Sequence, residues 1–259
     1  MRKLKNHMKA QIFLFIILSI VGGYFLAASK KQIDQGSKKD LSILFIGNSY
    51  TRPLPEVIQS IAENNNLKIT YRSITPGGWT LHKHSKSEES LKAIHERTWD
   101  YVVLQEQSQL PSFSEEQRRE DIYPYAIKLV NEIRETGAIP LLFLTWGRKY
   151  GDIQNIPDDT RSKMQARLLE GYQNIALSTS SEIIPVGLAW EEITSTDKAI
   201  DLYDPDGSHP NQNGVYLSAA IFVSHLLKSP QLNAPPIGNI PKETAEFLAQ
   251  QANTLKYNP

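Results

Sequence analysis

The chain contains no cysteine. Disulfides, thiolate metal sites and cysteine nucleophiles are therefore excluded. It also lacks any surplus of charge, with 28 Lys and Arg against 28 Asp and Glu. No basic excess points to nucleic acid, and there is no acidic tail. Internal repeats and low-complexity stretches are missing too. What remains is ordinary globular material, 40% hydrophobic and 22% charged. Once a short N-terminal segment is set aside, about 220 residues are left, which suits one α/β domain.

That N-terminal segment holds the one long apolar run. Arg2, Lys3, Lys5 and Lys9 precede Ile12 to Ala28, and no acidic residue occurs before Asp34. This is the pattern of a secretory signal or an N-terminal membrane anchor. The run is broken by Gly22 and Gly23 and ends in Ala27-Ala28-Ser29, small residues that a signal peptidase accepts. Residues 1–29 are thus read as a signal peptide or anchor, 30–40 as a polar lysine-rich linker, and 41–259 as the functional domain. The domain is expected to be exported: periplasmic, extracellular or tethered to the membrane. Loss of the four N-terminal cations would leave it mildly acidic.

From Leu41 onward strand-like and helix-like segments alternate. Strands are expected at Ser42–Ile46, Lys68–Ile74, Tyr101–Gln105, Pro140–Thr145 and Glu182–Val186. Most are short runs rich in Ile, Val, Leu and Phe, as strands covered on both faces should be. Lys68–Ile74 is more mixed, which favours an edge. Helices are expected at Leu54–Asn64, Leu81–Arg97, Glu115–Thr136, Thr160–Leu177, Gly214–Lys228 and Lys242–Leu255, each with an apolar stripe. Tyr123-Pro124 interrupts the third of these or marks its true start. Alternation of this kind implies a parallel sheet with helices on both faces, and chemistry in the loops at the strand carboxyl ends.

Several residues in those loops are suited to chemistry. Ser49 follows the first strand in Gly47-Asn48-Ser49. A serine there is either a helix cap or a nucleophile, and a nucleophile needs a base within hydrogen-bond reach. Asp206-Gly207-Ser208-His209-Pro210 offers one: Asp206 and His209 are three apart, so a carboxylate can accept from one imidazole nitrogen and leave the other for the serine proton. Asp204 is the alternative orienting acid. His82 and His84 are two apart on an expected helix and point in different directions, so they read as exposed residues rather than metal ligands. No metal and no cofactor are implied. Trp79 and Trp146 read as a substrate platform or as packing, and Arg148 and Lys149 as a solvated loop with some capacity to hold an anion.

Gly47-Asn48-Ser49, the glycine loop Pro76-Gly77-Gly78-Trp79-Thr80 and the late Asp206-x-x-His209-Pro210 together resemble the SGNH (GDSL-type) hydrolases. The likeness extends from Leu41 to about Lys228. It implies a three-layer α/β/α sandwich on a five-stranded parallel sheet, the flavodoxin-like SGNH hydrolase fold, with ester hydrolysis through an acyl-serine. It assigns Ser49, His209 and Asp206 as the triad. It also implies an oxyanion hole from the N–H groups of Ser49 and Gly78, with Gly77 as the alternative to Gly78. The third donor is where the sequence departs from the pattern. Most members end the third strand with Gly-x-Asn-Asp and use the Asn amide, whereas this chain has Gln105-Glu106-Gln107-Ser108-Gln109. Glutamine carries the same amide on a longer stem. Gln105 is favoured, as in related carbohydrate esterases that resemble this arrangement, with Gln107 next and Gln109 favoured by counting from Asp100.

The function so implied is an exported esterase acting on small-molecule or glycan esters, O-acetyl esters among them. The same triad serves an O-acyltransferase, and the missing Asn also fits a non-catalytic envelope glycan-binding domain.

Overall fold

The computed structural model describes residues 40–196, 198, 200–228 and 231–255. The signal or anchor segment and nearly all of the linker lie outside the described residues. Five strands form one sheet: β1 (Asp40–Ile46), β2 (Lys68–Ile74), β3 (Tyr101–Leu104), β4 (Ile139–Phe143) and β5 (Glu182–Ile184). Every pairing is parallel, and the spatial order is β2-β1-β3-β4-β5. The mixed strand β2 does lie at an edge, with only Ile69 and Ile74 of its seven residues buried.

The nine helices among the described residues are α1 (Leu54–Glu63), α2 (Leu81–Lys86), α3 (Glu88–His95), α4 (Glu115–Asp121), α5 (Tyr123–Glu135), α6 (Arg161–Thr179), α7 (Val186–Thr194), α8 (Gln212–Leu227) and α9 (Lys242–Thr254). They cover both faces. Because side chains alternate along a strand, odd and even positions feed different cores. Ile43, Phe45, Val103, Leu141 and Phe143 pack with α1, α7, α8 and α9. Leu44, Ile46, Val102, Leu104 and Leu142 pack with α3, α5 and α6. The result is the expected three-layer α/β/α sandwich on a five-stranded parallel sheet. Full burial of an aliphatic side chain such as Leu54 or Ile58 contributes about 1.5–3 kcal/mol.

Two expected helices are each two. Ser87 breaks Leu81–Arg97: its backbone is extended and its hydroxyl accepts from the Ser90 N–H, capping α3. Ile122 breaks Glu115–Thr136 just before Pro124, which occupies the first turn of α5. α7 had no counterpart in the sequence reading, because Val186-Gly187-Leu188-Ala189-Trp190 is a short apolar run without polar alternation.

The order places β1 at the centre of a reversal. The chain passes from β1 outward to β2, then returns to β3 on the other side. Loops after β1 and β3 therefore diverge at the carboxyl edge, which is where open α/β sheets form a crevice. Ser49 sits in the first of them.

Candidate active site

Ser49 leaves β1 on a tight turn. Asn48 C=O accepts from the N–H groups of Thr51 and Arg52, both at 3.1 Å. The Asn48 side chain accepts from the Tyr50 N–H at 3.1 Å and donates to Trp79 C=O at 2.9 Å, joining the first loop to the second. Ser49 is not a cap: α1 has no side-chain cap at Pro53. Its Oγ instead lies 2.9 Å from His209 Nε2.

His209 is held from the opposite side. Its Nδ1 is 2.5 Å from Asp206 Oδ2. Asp206 Oδ1 accepts from the N–H groups of Ser208 and His209 at 2.8 and 2.9 Å. The carboxylate needs Nδ1 as a donor, which leaves Nε2 as the acceptor facing Ser49. Burial alone would raise the Asp206 carboxyl, but the bonds from His209 and the two N–H groups outweigh it and hold it below the usual carboxylate value. Asp204 has a different task. Its N–H donates to His209 C=O and its C=O accepts from Gly207 N–H, both at 2.9 Å, shaping the turn from which Asp206 projects.

The N–H groups of Ser49 and Gly78 face no protein acceptor among the described residues, and neither does that of Gly77. Gly78 has φ +67, as the third position of the Pro76–Trp79 turn requires. Gly77, in the same turn, has an ordinary φ.

Gln105 does not sit where the sequence reading put it. It is fully buried beneath the nucleophile loop. Its Oε1 accepts from the Asn48 N–H at 2.9 Å and the Thr51 hydroxyl at 2.8 Å, while its amide nitrogen donates to Glu106 C=O. A backbone N–H can only donate, so the atom it meets must be the amide oxygen, and the nitrogen points away from Ser49. Gln109 is also committed, donating to Asp152 at 2.7 Å. Gln107 differs: its oxygen accepts from the N–H groups of Gln109 and Leu110, and its nitrogen makes only a 3.5 Å contact to Gln109.

Three residues supporting the site were not legible in the sequence. His84, expected to be exposed, is fully buried. Its Nε2 donates to Gly47 C=O at 2.8 Å and its Nδ1 pairs with the Ser90 hydroxyl at 2.8 Å. Burial, against the pull of the Gly47 bond, lowers it to about 4. Glu106 is buried and accepts from Leu81 and Gln107 N–H groups; burial, against those bonds, raises it to about 8. Tyr50 stacks on Trp146 at 4.8 Å, and Trp146 stacks on Trp190 at 3.9 Å. The Tyr50 hydroxyl meets Ser208 Oγ at 2.6 Å, and Trp146 Nε1 donates to Ser208 C=O at 3.0 Å. Trp146 is thus packing beneath the triad rather than an exposed platform. His82 stacks half-buried on Tyr125. Nothing but its spacing could have separated it from His84.

No protein-family model matches the chain, and no curated protein matches it in sequence. Solved structures do. A DUF4886-family protein from Bacteroides uniformis superposes with a TM-score of 0.67 at 21% identity, over 82% of this chain and 94% of that one. A protein assigned to the SGNH hydrolases, from Slackia heliotrinireducens, gives 0.58 at 23% identity, over 71% and 98%. The psychrotrophic esterase EstA from a Pseudoalteromonas species gives 0.53 at 15% identity, over 73% and 98%. The chain therefore has the SGNH hydrolase fold.

Proposed function

We propose that this protein is an exported serine esterase. The observation that carries the reading is the continuous relay Ser49 Oγ–His209 Nε2–His209 Nδ1–Asp206 at 2.9 and 2.5 Å. Ser49 Oγ attacks the ester carbonyl carbon while its proton passes to His209 Nε2. The carbonyl oxygen becomes an oxyanion, held by the N–H groups of Ser49 and Gly78 and by the Gln107 side-chain amide, which replaces Gln105 in that role. His209 returns the proton to the leaving alkoxide, and an acyl-Ser49 ester remains. Water then attacks the acyl carbon, gives its proton to His209, and the acid leaves as Ser49 recovers its hydrogen. Each oxyanion donor is worth about 10²–10³ in rate. Asp206 holds the imidazole tautomer and stabilises the imidazolium.

Carbohydrate O-acyl esters are the substrate class. Support comes from the N-terminal segment, whose sequence has the pattern of a secretory signal or anchor, and from a structural neighbour described as an acetyl xylan esterase, superposing with a TM-score of 0.54 at 14% identity. A fluorophosphonate probe should label wild-type protein at Ser49 and leave Ser49→Ala unlabelled. The variant should also lose turnover of 4-nitrophenyl acetate. Wild-type rates in Ser49→Ala would sink the assignment.

A further inference from the structure

Most cations around the catalytic edge are neutralised. Lys149 meets Asp201 at 2.7 Å, Arg161 pairs with Glu191, and Arg167 meets Asp159 at 2.7 Å. Arg148 is different. Among the described residues it has no carboxylate oxygen within 4.0 Å. Its Nη1 and Nη2 make long contacts to neutral partners, 3.4 Å to Gln154 Oε1 and 3.5 Å to Ser108 Oγ. Its Nε is buried with no acceptor at all. A guanidinium is a rigid fork of five donors suited to planar oxyanions, and here that capacity is unmet.

Its position is fixed by the loops it joins. The Arg148 N–H points at Met164 Sδ at 3.3 Å, and the preceding Gly147 C=O accepts from the Tyr203 hydroxyl at 2.6 Å. The following Lys149 N–H donates to Gly207 C=O at 2.8 Å, which ties this segment to the turn carrying Asp206 and His209. The side chain reaches Ser108 in the loop after β3 and lies beside the Tyr50 hydroxyl. That hydroxyl is raised by burial and drawn back by Ser208, Ser108, the Arg148 charge and a hydrogen bond from Arg148; as a neutral partner it leaves the guanidinium charge unpaired. Tyr50 follows Ser49 and Ser208 precedes His209, so one aromatic ring separates the guanidinium from the reacting pair.

The geometry points to Arg148 as an anion subsite on the alcohol side of the ester, which makes the substrate an acylated acidic sugar, its carboxylate held by the guanidinium fork. This rests on the esterase reading above. The side follows from the proton path. His209 protonates the leaving alkoxide, so the alcohol portion departs over the Asp206–His209 turn, and Arg148 borders that turn. A carboxylate there would take bidentate, charge-assisted bonds that the protein itself does not supply.

The test compares O-acetylated methyl galacturonoside as the free acid with its neutral methyl ester. The wild type should favour the acid by about 30-fold in kcat/KM, and Arg148→Gln should bring the ratio near one. Arg148→Lys should fall between, because a point charge lacks the fork. Acetylated glucose 6-phosphate, run alongside, tells a carboxylate from a phosphate preference; a phosphate preference would overturn the acidic-sugar assignment. A wild-type ratio of one, or a preference that survives in Arg148→Gln, would overturn the subsite. If the Gln variant fails to fold, the wild-type ratio and the Lys variant decide. Fluorophosphonate labelling is read in the same samples. Labelling at Ser49 without acid preference sinks the subsite alone, whereas absent labelling and turnover sink the esterase reading. In that second case an NMR titration of wild type with methyl galacturonoside still decides the subsite, since binding needs no turnover.

Discussion

Two glutamines two positions apart carry opposite expectations. Gln105 holds the nucleophile loop from below through the Asn48 N–H and the Thr51 hydroxyl. Gln105→Ala would leave those donors buried and unpaired, so urea denaturation should show a loss of about 2–4 kcal/mol. Gln107 has an amide nitrogen with only one long contact. Gln107→Ala should lower kcat for 4-nitrophenyl acetate by about 10²-fold with KM little changed, as loss of a donor used only in the transition state does. A larger stability loss in Gln107→Ala than in Gln105→Ala would reverse the two roles. Sequence pattern could not separate these residues. All three glutamines are polar and follow the same strand, and the difference arises only from which amide atom meets the fixed N–H of Asn48. The pairing of Ser49 with Asp206 and His209, by contrast, was readable, because residue type, order and a three-residue spacing constrain it together. His84 stood at the opposite extreme, since a histidine on a short helix says nothing of its burial.

Close helix packing at the element scale rests on a few glycines. In α6 a methyl group on Gly171 would stand 2.0 Å from Pro111 C=O, a backbone atom in the 3-10 turn Leu110–Ser112. Neither partner can yield by a side-chain rotation. Gly171→Ala should therefore lower stability by about 2–3 kcal/mol, read as a shift in urea midpoint at unchanged slope. No shift would mean that α6 is free to slide. The strands were legible because a parallel sheet covered on both faces demands unbroken aliphatic runs. The helix breaks at Ser87 and Ile122 were less so: amphipathic spacing continues across both, and capping by Ser87 outweighs it locally. α7 is hard to read because its first five residues are an apolar run and its polar residues, Glu191, Glu192 and Thr194, come only toward its end, too few to mark a period.

At the scale of the whole molecule, the two cores share one sheet and two opposing titrations lie beneath the same site. His84 is lowered to about 4 in the folded state, so its contribution is present above the unfolded value near 6.5 and is lost as pH falls toward 4. Glu106 is raised to about 8, so stability is lost as pH rises from the unfolded value near 4.5 through 8. Between about 4.5 and 6.5 the two slopes oppose each other, and only the Glu106 slope continues above that window. Thermal stability should hold from mildly acid pH to about 6.5 and then decline, and Glu106→Gln should flatten that decline, a difference of about 1.5–2 kcal/mol by pH 8. Melting curves of both proteins across that range test it; parallel curves would remove Glu106 as the cause. The aromatic column has a consequence of a different kind. Trp146 and Trp190 lie 3.9 Å apart with their rings 5° from parallel, so their excited states are close enough to couple and the pair should contribute to the circular dichroism of the protein. Trp146 is bonded to the carbonyl one residue before His209. The protein thus carries its own chromophore directly beneath the triad, and a ligand that disturbs the Ser208–His209 segment should be readable optically without any label.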